Sequence, residues 1–179
     1  MLSYEWFALA ASTPWLFFLC LGDWRKRRLP NILTLGGLAV ALAFRLGWGG
    51  AFFMDGILGA LLCGLFLLIP MLVRAAGAGD VKMLAACGAV CGLGGSLHFL
   101  LATSLSGLVL VIVMLCLRAA DGARLKHYAR ILFDWRYDRS SGGKTIPSRE
   151  SEKARIPFGI AIAAGLWTVL AVTCAETFR

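Results

Sequence analysis

Charged residues are scarce in this sequence. Asp, Glu, Lys and Arg make up 16% of its 179 residues, against roughly 25% in an average soluble domain. Hydrophobic residues make up 59%, and they come in long blocks rather than in the alternating pattern of a half-buried strand. The composition therefore excludes an ordinary soluble domain. It predicts an all-α, polytopic membrane protein whose first partner is the lipid bilayer.

Metal-binding patterns are also missing. The chain has two histidines and six cysteines, and none of the cysteines forms a Cys-X-X-Cys pair. Cys87 and Cys91 are the closest pair, without a histidine or a second pair nearby. Structural zinc sites use about four converging ligands at tight spacing, so we expect small buried thiols in helix interfaces, without disulfides. No metal and no cofactor are predicted.

The first apolar block does not have the pattern of a cleavable signal peptide. Such a peptide carries positive charge before its apolar run and a small-residue cleavage site after it. Here Glu5 precedes the run and the basic stretch 25–28 follows it. We therefore expect this block to be a membrane span.

The apolar blocks predict six membrane spans. A helix needs about 20 apolar residues to cross the bilayer core. The stretch 81–117 is too long for one span, and the glycines of 92–96 are expected to break it. The predicted helices, in a single domain covering 1–179, are about 4–22, 31–48, 54–73, 81–95, 97–117 and 157–178.

The basic residues predict the orientation of these spans. The net charge of +8 could suggest nucleic acid, but the charges lie between apolar blocks and form no binding stripe. They concentrate after the first helix, at 74–82 and in 118–156, whereas the other face has only Arg45, between the second and third helices, and Arg179. Because basic residues mark cytoplasmic loops, both termini are predicted outside.

The segment 118–156 has two predicted parts. Residues 124–137 place apolar side chains at helical spacing among basic ones, which is typical of an amphipathic helix on the inner membrane surface. The following polar stretch, rich in Gly and Ser, predicts a flexible linker.

Two aspartates are the best candidates for chemistry. Asp23 closes the first helix and Asp80 opens the fourth, and both are predicted at the cytoplasmic face. Ionisable side chains at the depth of the membrane are rare, and a functional role is the first hypothesis for them. Two close acids can share one proton, so that one activates water while the other protonates the leaving amine. Gly77 and Gly79 suggest a backbone that adopts positive φ or admits an extended peptide.

Simpler roles are open for each of these residues. Asp80 could be an N-cap, and Asp23 could pair with the basic stretch that follows it. Lys82 could reach the lipid headgroups, hold Asp80 ionised or contact substrate. Asn31 is expected as a helix cap, with a polar contact to the site as the alternative. Pro157 has the position of a first-turn proline.

Three motifs resemble those of the type IV prepilin peptidases, which are membrane-embedded aspartic proteases. "GAGDVKMLAACG" (77–88) is similar to the family's GxGD motif, including the lysine two residues after the aspartate. "DWRKRRLPN" (23–31) resembles its first-aspartate motif, with Leu29 in place of the usual Ile. "RIPFGIAIAAG" (155–165) resembles its late Pro-Phe/Tyr-Gly segment.

The resemblance implies a function and a set of site residues. Asp23 and Asp80 would be catalytic, and other motif residues would shape the site or bind substrate. The substrates would be type IV pilin-like precursors, whose short basic leader, ending in Gly, is removed at the cytoplasmic face of a bacterial inner membrane. The implied site-shaping residues are Gly77, Gly79, Lys82, Asn31, Pro157 and Gly159.

The same resemblance separates this chain from the long family members. Those carry a cytoplasmic insert with paired Cys-X-X-Cys motifs and also N-methylate the new N-terminus. The chain resembles instead the short form that serves tight-adherence (Flp-type) pili, without the methyltransferase activity. The alternative is a close relative of this form, an archaeal preflagellin or prepilin peptidase.

Two other classes of function compete with a peptidase. A non-enzymatic channel, transport or assembly subunit of a secretion system would use acids as a proton relay stepped through membrane depth. Here both candidate acids are predicted at one face. A metal-dependent enzyme would have to bind its ion with two aspartates and no histidine.

Overall fold

The computed structural model describes residues 4–26, 30–72, 76–116 and 158–176. Within these ranges all regular structure is α-helical. The segment 118–156 and Pro157, with their predicted roles, lie outside the described residues. The helices are α1 (Tyr4–Lys26), α2 (Asn31–Gly47), α3 (Gly50–Leu72), α4 (Ala78–Cys116) and α5 (Phe158–Glu176).

The chain divides into two units. One consists of Met1–Leu108 together with Pro157–Arg179, and the other of Val109–Ile156. Of the second unit the structure describes only the end of α4, up to Cys116. The contacts reported below lie within the first unit.

Four helices are long and apolar enough to cross a membrane. α2 is apolar but has only 17 residues, against about 20 for a full crossing. The sequence predicts six spans, and the described part of the chain has four such helices and one shorter one. It is a membrane protein. The four candidate spans are Tyr4–Arg25, Gly50–Leu72, Ala78–Met114 and Phe158–Glu176.

α4 is interrupted at Gly92, within the stretch where the sequence predicts a break. A straight helix of 39 residues would be about 58 Å long, nearly twice the bilayer core of about 30 Å. Gly92 has φ 74° and ψ 178°, a conformation outside the helical region that favours glycine. α4 therefore consists of a first segment, 78–91, and a second segment, 93–116.

Buried apolar side chains from α1, α3, α4 and α5 form one core. The first segment of α4 and α5 contribute equally many side chains to it, and α3 approaches the first segment of α4 very closely. A Cβ on Gly88 would lie 2.5 Å from the Gly59 carbonyl oxygen, so glycine is what allows this approach. The fully buried core side chains include Leu19, Cys63, Met83, Leu84, Cys87, Phe99, Ile162 and Leu166.

The six cysteines are free thiols. Cys63, Cys87 and Cys174 are buried between helices, which is the arrangement expected for small apolar side chains. Cys116, at the end of α4, is exposed, so burial does not extend to every cysteine.

Arg45 is not the loop charge that the sequence predicts. It lies in the last turn of α2, 2% exposed, and forms an ion pair with Asp55 of α3. Its Nε donates to the Phe52 carbonyl at 2.7 Å. Its Nη1 donates to the Val90 carbonyl at 2.9 Å and to the Tyr4 hydroxyl at 3.1 Å. A buried guanidinium is stable only when it is paired and hydrogen-bonded in this way.

The same side chains also hold the interruption of α4. The Tyr4 hydroxyl donates to the Val90 carbonyl at 2.8 Å. Asp55 Oδ1 accepts a hydrogen bond from the Leu93 N–H at 3.1 Å. We call Tyr4, Arg45 and Asp55 the Arg45 clasp. It joins α1, α2 and α3 to both sides of the break.

Candidate active site

Asp23 is buried near the end of α1, with 5% of its surface exposed. Its Oδ2 accepts a hydrogen bond from the backbone N–H of Gly159 at 2.9 Å. Gly159 is the second residue of α5, where backbone N–H groups have no partner inside the helix. A carboxylate at a helix N-terminus is also favoured by the aligned peptide dipoles. α5 therefore stabilises negative charge on Asp23.

Asp80 lies in the first turn of α4, which begins at Ala78. The sequence allowed Asp80 to be the N-cap, but it is the third helical residue, so Gly77 occupies the cap position. Asp80 Oδ2 accepts from the Gly77 N–H at 3.2 Å. This is the reverse half of a capping box, in which the third helical residue reaches back to the cap N–H. Asp80 therefore does take part in capping α4, but as the residue that binds the N–H of the cap residue and not as the cap residue itself.

Gly77 leaves space for the Asp80 carboxylate. A Cβ on Gly77 would lie 3.0 Å from Asp80 Oδ2 and 3.7 Å from its Cγ. Neither Gly77 nor Gly79 has the positive φ that the sequence suggests for them. Among the described residues, positive-φ glycines occur at Gly49 and Gly92, and Gly79 lies within the α4 helix. Admission of an extended peptide stays a prediction for both.

Lys82 and Asn31 contact each other. Lys82 Nζ donates to Asn31 Oδ1 at 2.9 Å, across 51 positions of sequence. Asn31 is the first residue of α2, and the cap position is taken by Pro30, with no side-chain cap bond. The predicted capping role of Asn31 is therefore wrong, and its alternative, a polar contact, is what the structure shows. The bond ties the start of α2 to the start of α4.

These contacts involve all three sequence motifs. The motif at 23–31 supplies Asp23 and Asn31, and the motif at 77–88 supplies Asp80 and Lys82. The motif at 155–165 supplies Gly159. Each motif contacts another: Asp23 bonds to Gly159, and Asn31 bonds to Lys82.

The role of the Gly159 N–H was not recognised from the sequence. The signal for it was present, since Pro157 and Gly159 mark the start of a helix whose first amides need acceptors. A single chain gave no means of assigning Asp23 as that acceptor.

The donor set does not suggest a metal site. Among the residues that the structure describes, no group of three or more His, Cys, Asp or Glu side chains could hold a metal ion. The described motif residues offer carboxyl groups, the Lys82 amine, the Asn31 amide and backbone N–H groups.

Comparison with known proteins gives one match. A sequence model of the type IV leader peptidase family matches residues 10–112, which is more than half of the chain. The matched range includes both aspartates, Asn31 and Lys82, and it ends before α5. No curated protein and no solved structure matches.

Proposed function

The chain belongs to the type IV leader peptidase family, and from this premise we propose that it is a membrane-embedded aspartic endopeptidase with Asp23 and Asp80 as its catalytic pair. The observation that carries the proposal is the placement of the two acids. Each lies at the end of an apolar helix and accepts a hydrogen bond from a backbone N–H at a helix start, Gly159 for Asp23 and Gly77 for Asp80.

The proposed reaction needs only the two carboxyl groups and one water. The ionised carboxylate takes a proton from water while the oxygen of that water forms a bond to the scissile carbonyl carbon. The protonated carboxyl donates its proton to the carbonyl oxygen. As the tetrahedral gem-diol collapses, the C–N bond breaks and the amine leaves with a proton from one carboxyl group, while a hydroxyl proton of the gem-diol returns to the other carboxylate. Backbone N–H groups that bind the carboxylates keep them oriented without requiring a further ion.

The proposed substrates are type IV pilin-like precursors, with a short basic leader that ends in Gly and precedes an apolar helix. The family supports this substrate class in general terms. The substrate helix would lie among the spans while its leader enters the pair. Acids of the segment 118–156 would meet the basic leader. They are Asp121, Asp134, Asp138, Glu150 and Glu152.

The proposed location is the bacterial inner membrane, with both termini outside and the site at the cytoplasmic face. Within the described residues, counting the two segments of α4 separately gives six apolar helical stretches, and six crossings would return the chain to the side where it began. The basic stretch 25–28 begins two residues after Asp23, and basic residues favour the cytoplasmic side. The short form without Cys-X-X-Cys supports leader cleavage without N-methylation, as in Flp-type pilus systems.

The test is co-expression with a pilin precursor of this class, followed by a mobility-shift assay. Asp23→Asn and Asp80→Asn should each abolish cleavage, because Asn cannot exchange a proton at neutral pH, while the protein still inserts. Glu176→Gln is a matched control that removes an exposed carboxylate from the end of α5; it should cleave normally. If either Asp variant still processes the precursor, the pair is not catalytic, and a non-enzymatic assembly or transport subunit becomes the better proposal.

A further inference from the structure

The interruption of α4 at Gly92 lies between backbone groups that would be hydrogen-bonded across it in an unbroken helix. In an unbroken helix the Val90 carbonyl would accept from the N–H of residue 94, and the Leu93 N–H would donate to the carbonyl of residue 89. Lipid offers no replacement for such bonds, so a broken helix persists at membrane depth only where protein satisfies the freed groups.

The Arg45 clasp supplies these replacements from three other helices. The Val90 carbonyl accepts from Arg45 Nη1 at 2.9 Å and from the Tyr4 hydroxyl at 2.8 Å. The Leu93 N–H donates to Asp55 Oδ1 at 3.1 Å. Both sides of the break are therefore closed by the clasp, and the ion pair links the two sides to each other.

Gly92 allows the clasp and the break to occupy the same place. A Cβ on Gly92 would lie 2.6 Å from Arg45 Nη2 and 3.0 Å from Asp55 Cγ, and closer still to Asp55 Oδ2. Its φ of 74° is also strained for any other residue. A side chain at this position would displace the ion pair or straighten the helix.

The clasp lies at the opposite end of the same helices that carry the candidate site. α4 runs back from Val90 to Asp80 over ten residues, about 15 Å along its axis. α2 runs back from Arg45 to Asn31 over fourteen residues, about 21 Å. A helix of this length is stiff, so the position at which Val90 is held also determines where Asp80 stands.

We infer that the Arg45 clasp holds Asp80 at its working depth, with Arg45 and Asp55 acting as positioning residues through the first segment of α4. The inference rests on the proposed function in one respect, that Asp80 is catalytic. The clasp ties Val90 to α1 and α2, whose other ends carry Asp23 and Asn31. It thereby keeps Asp80 in register with both.

Loss of the clasp removes that register. The freed groups around residue 92 then recover their bonds most easily by resuming a continuous helix. A continuous α4 is too long for the bilayer, so its start shifts against the start of α2. The Lys82–Asn31 hydrogen bond opens, and Asp80 moves relative to the scissile bond. A displacement of about 1 Å is enough to slow a reaction about 100-fold.

Purified variants distinguish this role from simple stabilisation. Gly92→Ala, Arg45→Met and Asp55→Asn are compared with Gly94→Ala, whose Cβ would meet nothing within 4 Å. The probe is a pilin precursor with a basic leader ending in Gly, and rates are expressed per folded enzyme. We expect Gly92→Ala to lower kcat about 100-fold while KM changes little, and to yield products cut at neighbouring bonds by mass spectrometry. Gly94→Ala should give the normal kcat and a single product terminus.

Asp55→Asn is the variant that remains informative if the others fail to fold. The Asp55 side chain is 40% exposed, and Asn keeps an oxygen for the Leu93 N–H while the ion pair is lost. We expect an intermediate fall in kcat with some mixed product termini. A folded Asp55→Asn or Gly92→Ala enzyme with normal kcat and one product terminus would overturn the inference.

A readout that does not need activity separates this inference from the proposed function. Acylation of Lys82 by a water-soluble amine reagent, followed by mass spectrometry, reports on the bond to Asn31. We expect its rate to rise severalfold in Gly92→Ala and Asp55→Asn, and to be unchanged in Gly94→Ala. An unchanged rate in the clasp variants contradicts the inference. Continued cleavage by Asp23→Asn or Asp80→Asn contradicts the proposed function, and the Lys82 result then still decides whether the clasp positions α4.

Discussion

The backbone N–H of Gly159 donates to Asp23 Oδ2 at 2.9 Å, across 136 positions of sequence. The bond is buried, and it joins the first and last helices of the described chain. Because the N–H is the second amide of α5, it has no helical acceptor of its own, and it gives Asp23 Oδ2 a fixed donor.

Removal of that N–H should impair cleavage more than it impairs folding. Gly159→Pro deletes the donor at a first-turn position where proline is tolerated. A hydrogen bond to a charged group contributes about 1.5–3 kcal/mol, so we expect kcat/KM to fall about ten- to a hundredfold. Gly159→Ala keeps the N–H and is the matched control. Normal cleavage by Gly159→Pro would show that α5 does not act on Asp23 through this bond.

A methyl group at position 77 should disturb Asp80. The Cβ of Gly77→Ala would lie 3.0 Å from Asp80 Oδ2, so the carboxylate must turn away or α4 must shift. We expect kcat to fall at least about tenfold, since small displacements of catalytic groups have large effects. Gly47→Ala, with nothing within 4 Å of its Cβ, serves as the control. Equal activity of the two variants would contradict this prediction.

Lys82 and Asn31 should be energetically coupled. We expect Lys82→Met and Asn31→Ala each to lower kcat/KM, and the double variant to be no worse than the weaker single one. The coupling should be about 0.5–1.5 kcal/mol, as for a single hydrogen bond. A double-mutant cycle measures it directly. Additive losses would mean that the two side chains act separately, for example on different parts of the substrate.

Gly37 should be required for stability rather than for activity. The Trp15 indole packs on Gly37, with Nε1 2.6 Å from the position of a Cβ, and Nε1 donates to the Leu33 carbonyl at 2.8 Å. Gly37→Ala should lower the free energy of unfolding by about 1–3 kcal/mol, because overpacking displaces the ring. Thermal unfolding in detergent tests this. Gly36→Ala, which meets nothing within 4 Å, should unfold at or above the normal temperature.

The helices, and the positions of Asp23 and Asp80 at helix ends, could be predicted because both signals are strong in an apolar chain. Blocks of about 20 apolar residues have few alternatives to a membrane helix, and an acid beside such a block stands out. The break at Gly92 was predictable for a related reason, since three glycines interrupt a stretch too long for one span. These features depend on composition over short distances, which a single sequence displays.

Roles that depend on a distant partner could not be predicted. Arg45 looks like a loop charge because its acceptors come from Tyr4, Phe52, Asp55 and Val90, and three of these are backbone or hydroxyl oxygens that leave no charge pattern. Asn31 looks like a cap because its actual contact, Lys82, is 51 positions away. Side-chain to backbone contacts between helices are set by packing, which sequence spacing does not display.

The ion pair between Arg45 and Asp55 also bears on how the chain enters the membrane. An arginine within a helix opposes insertion by about 2.5–3.5 kcal/mol at the bilayer centre, and α2 is short as well. Its countercharge follows only ten residues later, in the first turns of α3. During synthesis α2 and α3 would therefore enter the lipid together as a helical hairpin, with the charges of Arg45 and Asp55 neutralising each other near its turn. The Val90 carbonyl would bind Arg45 only later, when α4 has been synthesised. A chain that ends between residues 47 and 55 should therefore insert α2 less efficiently than a chain that includes Asp55.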